Sequence, residues 1–417
     1  MGTTPPSGRW AASSPAAEIV IAEDTTARRR ALVVISASQL LALSLWFSAT
    51  AVAGQLVAEW HLTPSGRAGL TLAVQLGFVV GAVGLAVLNV ADVVPSRRLF
   101  LISSIIGAIV NLGLLAVTAE TSWVAFTLRF ATGAALAGVY PSGLKVMSGW
   151  FQKGRGFALG LLVAAVTVGS ASPHLIVGLG VDWEVVIWVS SGLALVAGVM
   201  MARMSDGPYE VPVQRFRWSQ TAAVVRNRGV RLSTFGYLGH MWELYGMWTW
   251  IAAFLIASSE AAGQSYGSIP VLTFVIIASG GLTAAWAGSL ADRMGRTRIA
   301  AAAMAISGSC ALLTPIIFGT SPFVVLPILL IWGMTIVADS AQFSALVTET
   351  AQDEIRGTAL TLQTAFGFLL TLVTIRALPL IADAYTWRWA FPLLAIGPAL
   401  GVLAMRQLGR NRQLIRS

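Results

Sequence analysis

The sequence predicts an all-α integral membrane protein with twelve transmembrane helices in two pseudo-symmetric six-helix bundles. Apolar residues make up 56% of the 417 residues and charged residues only 11%, whereas a soluble domain carries roughly a quarter charged residues. Apolar runs of the ~18–20 residues needed to cross a bilayer follow one another along the chain. Because these runs are continuous rather than alternating, helices and not barrel strands satisfy the backbone polar groups in lipid.

The elements begin with a tail, residues 1–30, that is rich in Ser, Thr, Pro and Ala and that we expect to be disordered. The first apolar run is too long and too far from the N-terminus for a cleaved signal peptide. Six spans form a first bundle, 31–204, and a linker, 205–230, leads to a second bundle, 231–407, and a tail, 408–417. The predicted spans are 31–56, 67–89, 99–118, 123–149, 156–178, 184–204, 232–257, 268–290, 299–319, 323–346, 357–381 and 388–406.

The basic residues predict the orientation. With both termini cytoplasmic, 21 of the 27 Lys and Arg residues fall inside and only Arg67 and Arg388 fall outside. This asymmetry follows the positive-inside rule, so we predict a multi-pass protein of the cytoplasmic membrane. It also accounts for the net charge of +9 without a nucleic-acid partner. The single cysteine, Cys310, lies in an apolar run and permits no disulfide within the chain.

Helix-end markers recur in the two halves. Asp92 follows span two, and Asp292 follows span eight, 200 residues later. Arg155 opens span five, and Arg356 opens span eleven, 201 residues later. These offsets indicate duplication of a six-span unit, and the even number of spans keeps the two copies parallel. A substrate site near the midplane, between the two copies, is the arrangement expected for such a duplication.

The loop after span eight, residues 288–298, reads GSLADRMGRTR. Gly288 allows helices to approach closely, Gly295 allows a tight turn, and Asp292 can face a neighbouring helix N-terminus and the arginines. The loop closely resembles the G-x-L-A-D-R-x-G-R-[RK] motif of the major facilitator superfamily. We expect a conformational latch that also includes the first-half aspartate, formed by Gly288, Asp292, Arg293, Gly295, Arg296 and Asp92.

Other positions extend the resemblance. Arg129, Gly133 and Ala137 in span four are similar to the R-x-x-x-G-x-x-x-A pattern of the family. The first-half loop departs from it, because Pro95 replaces the glycine of the turn. The resemblance implies a secondary transporter that works by alternating access, with spans one, four, seven and ten around the cavity. Its partners would be a small-molecule substrate, protons and the lipid bilayer, and we expect a monomer.

Enzymatic chemistry has no support in the sequence. It contains no His-rich cluster, no Gly-x-Ser-x-Gly and no phosphate-binding loop. We therefore expect no enzymatic activity, no metal and no cofactor.

Ionisable residues inside the spans are functional candidates, because a charge at membrane depth costs roughly 2.5–3.5 kcal/mol. His240 and Glu243 lie three residues apart in span seven, on one helix face. A His–carboxylate pair titrates near physiological pH, which suits proton coupling. Asp339 lies in span ten, where we expect it to pair with Lys145 or to carry protons. We predict proton coupling by Glu243, His240 and Asp339, with structural hydrogen bonding as the alternative.

Candidate substrate-binding residues come from the spans around the cavity. Arg129 is the best cation for an anionic substrate, and an ion pair between helices is the alternative role. Lys145 either reaches the membrane interface or faces the cavity near Tyr140. Trp248 and Trp250 fit an interfacial aromatic belt. The predicted substrate-binding set is Arg129, Lys145, Tyr140, Trp242, Tyr245, Trp46 and Gln342.

Three functions remain open at this point. The basic residues and histidines favour proton-coupled transport of a small organic anion. The Trp-rich span seven, with Gly169 and Pro173 in span five, favours proton-antiport export of a lipophilic drug or metabolite. A transporter-like receptor is the third possibility, although the short tails offer no signalling domain.

Overall fold

The computed structural model describes residues 15–151, 154–209 and 216–411, without the side chains of 15–24, 64, 91 and 92, and its regular structure there is entirely helical. Before the linker the helices are α1 (Pro15–Leu43), α2 (Ser48–Ala51), α3 (Ala53–Trp60), α4 (Pro64–Val87), α5 (Val90–Val93), α6 (Ser96–Leu112), α7 (Ser122–Trp150), α8 (Arg155–Val177) and α9 (Trp183–Ala202). From the linker onward they are α10 (Thr221–Arg226), α11 (Arg228–Ala262), α12 (Ile269–Met294), α13 (Arg296–Ile317), α14 (Pro322–Ala338), α15 (Ser340–Thr350), α16 (Asp353–Tyr385), α17 (Trp387–Ala390) and α18 (Ile396–Arg410).

Ten helical segments in the described part of the chain are long and apolar enough to cross a membrane. They coincide with predicted spans two to six and eight to twelve. The two helices at the positions of spans one and seven, α1 and α11, are not among the ten. The chain is thus a multi-pass membrane protein with a helix at every predicted position, and the count of twelve spans stays a prediction.

The ends and breaks of several helices differ from the prediction. Helix α1 begins at Pro15, so residues 15–30 are helical rather than a disordered tail. Residues 1–14 of that tail, and 412–417 of the second, lie outside the described residues. Span one breaks after Leu43, span ten breaks at Asp339, and span twelve opens with α17 and a 3₁₀ turn, Phe391–Ala395. An apolar run fixes the depth of a segment, but it does not reveal where side chains from other helices stabilise a break.

The same pairs of helices pack together in both halves of the chain. The first helix of each half packs against the fifth and the sixth, as α1 does on α8 and α9 and α11 does on α16 and α18. The second packs against the fourth, as α4 does on α7 and α12 does on α14. At the α4–α7 contact a Cβ on Gly133 would lie 2.0 Å from the Val74 carbonyl oxygen, so only glycine permits this approach.

Two extended contacts join helices of the two halves. Helix α8 packs along α12, and α4 packs along α16. Each contact pairs the fifth or second helix of one half with the second or fifth of the other. Most of the buried charged side chains lie on α7, on α11 and at the break between α14 and α15.

Candidate functional site

Glu243 lies on α11 with 1% of its surface exposed. Its Oε2 accepts a hydrogen bond from Ser307 Oγ on α13 at 2.8 Å, and its Oε1 accepts one from Trp332 Nε1 on α14 at 2.7 Å. Two donors from two other helices thus satisfy both carboxyl oxygens. A carboxyl group at this depth needs such donors, because an unpartnered buried charge is costly. The arrangement can hold the ionised carboxylate, and Oε1 or Oε2 can also accept a proton.

One helical turn from Glu243, His240 contacts a second buried carboxyl group. His240 Nδ1 lies 2.8 Å from Asp339 Oδ1, and its Nε2 lies 2.9 Å from Ser340 Oγ. Asp339 occupies the break between α14 and α15, where it is the C-cap of α14 and the N-cap of α15. Both His240 and Asp339 are 2% exposed. The break therefore brings an imidazole and a carboxylate together away from water.

This geometry corrects the pairing that the sequence suggested. His240 and Glu243 share a helix face, but their polar atoms bind different partners on other helices. The carboxyl partner of His240 is Asp339, the residue for which the sequence suggested either pairing with Lys145 or a role in carrying protons. Helix spacing predicted that His240 and Glu243 share a face, whereas the break in span ten places the carboxylate of Asp339 against the imidazole ring.

Arg129 on α7 is fully buried and binds the break in span one. Its Nη1 donates to Leu45 O, Ser48 Oγ and Asn111 Oδ1, each at 3.1 Å, and its Nη2 donates to Trp46 O. The carbonyls of a helix end lack intrahelical partners and carry partial negative charge, so a guanidinium stabilises them. The hydrogen bonds of Arg129 thus serve this break, and the guanidinium does not serve as an open cation for a substrate in this geometry.

An aromatic cluster closes the centre between the two halves. Trp46 and Tyr245 stack with ring centroids 5.7 Å apart, and Phe368 lies 5.6 Å from Trp46 and 5.3 Å from Tyr245. Phe78 on α4 lies 4.4 Å from Phe368 on α16. The cluster thus unites two predicted substrate-binding residues, Trp46 and Tyr245, with rings from both halves.

Trp242 and Gln342, which were also predicted to bind substrate, make their hydrogen bonds elsewhere. Trp242 turns away from the cluster, since its Nε1 donates to Leu393 O at 2.9 Å beside α18. Gln342 accepts a hydrogen bond from Arg296 Nη1 at 3.1 Å and so lies beside the predicted latch residues of the second half. Tyr140 and Lys145 are half-buried on α7. The structure therefore does not bring the seven predicted residues into one site.

The latch residues of the second half lie where α12 meets α8. A Cβ on Gly156, at the start of α8, would lie 2.4 Å from Asp292 Oδ2, so this carboxylate sits at the N-terminus of a helix from the other half. A Cβ on Gly288 would lie 2.8 Å from the carbonyl oxygen of Gly156. Gly295 has φ +96°, a value that favours glycine.

The arginines of the latch play unequal parts. Arg296 Nη2 lies 2.9 Å from Asp292 Oδ1, and Arg296 Nε lies 2.6 Å from Glu349 Oε1 on α15. Arg293 is exposed, without a hydrogen bond or ion pair within the described part of the chain. Arg296 thus ties together the ends of α12, α13 and α15 beside α8.

The loop of the first half has a different arrangement. The side chain of Asp92 lies outside the described residues, so its expected role stays a prediction. Arg97 Nε and Nη2 donate to the two carboxyl oxygens of Asp206, each at 2.8 Å, and Nη1 donates to Met204 O. These hydrogen bonds hold the pKa of Asp206 below its usual value. This loop therefore binds the end of α9 in its own half.

Several residues of the site had no distinct signal in the sequence. Ser307 and Trp332 bind Glu243, and Ser48 and Asn111 bind Arg129. Each is uncharged, so none stands out in an apolar run as an ionisable residue does. The one usable signal is that a buried ionisable residue requires polar partners at similar depth on neighbouring helices.

The sequence model of the Major Facilitator Superfamily matches residues 34–372. No curated protein matches the sequence. Among solved structures, a variant of the nucleoside transporter NupG is similar at TM-score 0.68 and 14% identity, over 91% of this chain and 99% of that one. The proton:xylose symporter XylE, bound to a bromodeoxyglucose, is similar at TM-score 0.67 and 15% identity, over 92% of this chain and 96% of that one. At these identities the solved structures establish the fold.

Proposed function

The chain belongs to the Major Facilitator Superfamily of secondary transporters, and we propose that it couples movement of a small solute to protons by alternating access. Family membership confirms the predicted all-helical membrane fold, apart from the count of twelve spans, and the expectation that the protein is a transporter rather than an enzyme. The proposal adds the coupling ion, the cytoplasmic membrane as location, cytoplasmic termini and a monomeric state.

The buried acidic cluster of Glu243, His240 and Asp339 is the single observation that carries proton coupling. Its three side chains are each at most 2% exposed and lie on α11 and at the α14–α15 break. Ionisable residues at membrane depth are expensive and characteristically serve proton relays. Protonation of Glu243 or Asp339 would change the charge inside one half, and so would favour one conformation over the other.

Alternating access draws support from two contacts between the halves. The latch at Asp292 closes the cytoplasmic end, and the aromatic cluster around Trp46 and Tyr245 closes the centre. Both lie between helices of different halves, so they can separate without unfolding a helix. Rocking of the halves would exchange these contacts for others on the opposite side.

The substrate class that we favour is a small organic anion. Arg129 no longer supports it, because that guanidinium binds the break in span one. The support comes instead from an outer cavity lined by Arg67, whose guanidinium makes no hydrogen bond or ion pair with the residues that the structure describes. Export of lipophilic compounds is the second candidate, and the aromatic cluster between the halves favours it.

Counterflow in proteoliposomes tests the proposal. Vesicles are preloaded with one unlabelled solute, and uptake of the labelled form of that solute is then measured. The solutes are the anions benzoate, lactate and acetate and the lipophilic cation tetraphenylphosphonium. We expect saturable anion counterflow that depends on pH. Counterflow of tetraphenylphosphonium alone would select the export function, and absence of counterflow for every solute, with binding intact, would select a receptor.

A further inference from the structure

A cavity of about 150 Å³ opens at the end of the protein opposite the latch. Helix α8 begins at the latch and reaches this cavity with His174 in its last turn, while α4 and α12 reach it with their first turns. Both halves contribute to its walls. Its polar and aromatic lining consists of Thr50, Arg67, Thr71, His174, Thr249 and Trp250.

Arg67 provides the positive charge of this outer cavity. Its guanidinium carbon lies 5.4 Å from the centroid of the Trp250 ring, and Trp250 Nε1 donates to Ile375 O at 2.9 Å, which fixes the ring. The guanidinium has no hydrogen bond or ion pair in the part of the chain that the structure describes. Since the ring covers one face of the guanidinium, its N–H donors stay free for a ligand.

The remaining polar atoms add donors and no negative charge. Thr50 Oγ1 and Thr71 Oγ1 share one hydrogen bond of 2.8 Å, which leaves one of the two hydroxyl hydrogens free. His174 is 4% exposed, and its Nε2 is buried without a hydrogen-bond partner among the described residues. Thr249 donates to Tyr245 O and can therefore only accept. None of the thirteen described lining residues is an aspartate or a glutamate.

We propose that the outer cavity binds a small organic anion through its carboxylate, as the extracytoplasmic step of the transport proposed above. Arg67 supplies the charge and the free hydroxyl of the Thr50–Thr71 pair supplies a hydrogen bond. His174 supplies another in the tautomer that carries hydrogen on Nε2. A basic residue outside runs against the positive-inside rule, which is consistent with a binding role for Arg67.

The size of the cavity limits the ligand. About 150 Å³ accommodates on the order of ten waters at ~10–15 Å³ each. A ligand with about ten non-hydrogen atoms therefore fits, which includes benzoate and excludes large drug-like anions.

Calorimetry on the purified full chain in detergent tests the site with benzoate and with benzamide, its uncharged analogue of similar shape. We expect benzoate to bind at least about tenfold more tightly than benzamide, because a charge-assisted hydrogen bond to Arg67 is lost with the amide. Arg67→Gln should weaken benzoate binding by about tenfold or more. Arg67→Lys should retain more affinity than Arg67→Gln, which separates loss of charge from misfolding.

Arg388→Gln is the matched control, because it removes the other predicted outer basic residue, which binds Pro315 O outside the cavity. Its benzoate affinity should stay within about twofold of wild type. Equal binding of benzamide and benzoate, unchanged affinity in Arg67→Gln, or no benzoate binding at millimolar concentration would each overturn the site.

The outer site and the transport proposal fail in different ways. Benzoate binding that requires Arg67, without counterflow of any solute in proteoliposomes, would leave the site standing and refute transport. Anion counterflow together with benzoate affinity that is unchanged in Arg67→Gln would refute the site and leave transport standing.

Discussion

Glu243 and Arg129 are buried charges that the protein stabilises in two different ways. Side-chain donors from α13 and α14 bind the carboxylate of Glu243. Because side chains can shift more easily than backbone, small movements of these donors can accompany a change in the protonation state of Glu243. Two backbone carbonyls at a helix break and the side chains of Ser48 and Asn111 accept hydrogen bonds from the guanidinium of Arg129. The first arrangement suits a coupling residue, whereas the second suits a structural one.

Ser307→Ala tests the support of Glu243. The variant removes one of the two hydrogen-bond donors to the carboxylate, so we expect a loss of about 1–2 kcal/mol in the free energy of unfolding. Titration with SDS in mixed micelles measures this loss. Ser309→Ala on the same helix is the control, because Ser309 is exposed and donates only to Ala305 O. Equal stability of the two variants would show that Glu243 does not depend on Ser307.

Replacement of Arg129 by Met tests the helix break. The variant removes the guanidinium donor from Leu45 O, Trp46 O and Asn111 Oδ1, of which Ser48 Oγ can serve only one, so we expect the free energy of unfolding to fall by about 3 kcal/mol or more. The same SDS titration measures it. Arg376→Met is the control, because Arg376 is in span eleven without a hydrogen bond in the described chain. A stable Arg129→Met variant that has lost anion binding would contradict this structural role and would indicate that Arg129 binds the substrate.

At the scale of residues, the sequence identified the ionisable side chains but not their partners. Glu243, His240, Asp339 and Arg129 stood out because charges are rare in apolar runs. Their partners are as much as 100 residues away, as Ser340 is from His240. Which serine or tryptophan reaches a given carboxylate depends on the rotation and depth of packed helices, and an apolar run specifies neither.

At the scale of elements, the latch joins the end of α12 to the start of α8. The carboxylate of Asp292 occupies the space that a side chain on Gly156 would need, so the contact requires glycine at that position. The long match to the loop motif allowed this element to be predicted. The breaks at Leu43 and Asp339 were not predictable in the same way, because side chains from elsewhere in the fold stabilise them.

Gly156→Ala should separate the latch. The added methyl group would lie 2.4 Å from Asp292 Oδ2, so the cytoplasmic ends of the two halves should move apart. Spin labels at the exposed positions Arg98 and Arg298, in a Cys310→Ala background, report the distance by double electron–electron resonance. We expect a longer mean distance. Gly84→Ala, where a Cβ meets nothing within 4 Å, should leave it unchanged, and an unchanged distance in Gly156→Ala would refute the latch.

The Arg97–Asp206 contact should contribute stability that depends on pH. In the folded protein this contact lowers the pKa of Asp206. Its contribution to the free energy of unfolding is therefore fully present above the ordinary pKa of 3.8, and it is lost as the pH falls through the lowered pKa. Asp206→Asn should therefore lower the apparent unfolding temperature at neutral pH, and this effect should shrink progressively as the pH falls below 3.8. A difference that persists in acid would show that the effect does not arise from the charge.

At the scale of the whole molecule, the repeated packing of helices supports two similar halves that move against each other. The pairs α8–α12 and α4–α16 form the contacts between them, and the aromatic cluster lies between these pairs. The duplicated loop motifs already suggested this repetition in the sequence. They could not show that the two loops have diverged, with Arg296 bound beside α8 and Arg97 bound within its own half.

Proton movement driven by solute is the most direct test of the central claim, that the buried acidic cluster couples protons to transport. Proteoliposomes that contain the wild type, Glu243→Gln or Glu260→Gln are loaded with a pH-sensitive dye, and the solute that shows counterflow is then added. Glu260→Gln is the control, because Glu260 is an exposed glutamate on the same helix. We expect proton movement in wild type and Glu260→Gln, and its loss in Glu243→Gln. Transport by Glu243→Gln at a normal rate with unchanged pH dependence would contradict the claim.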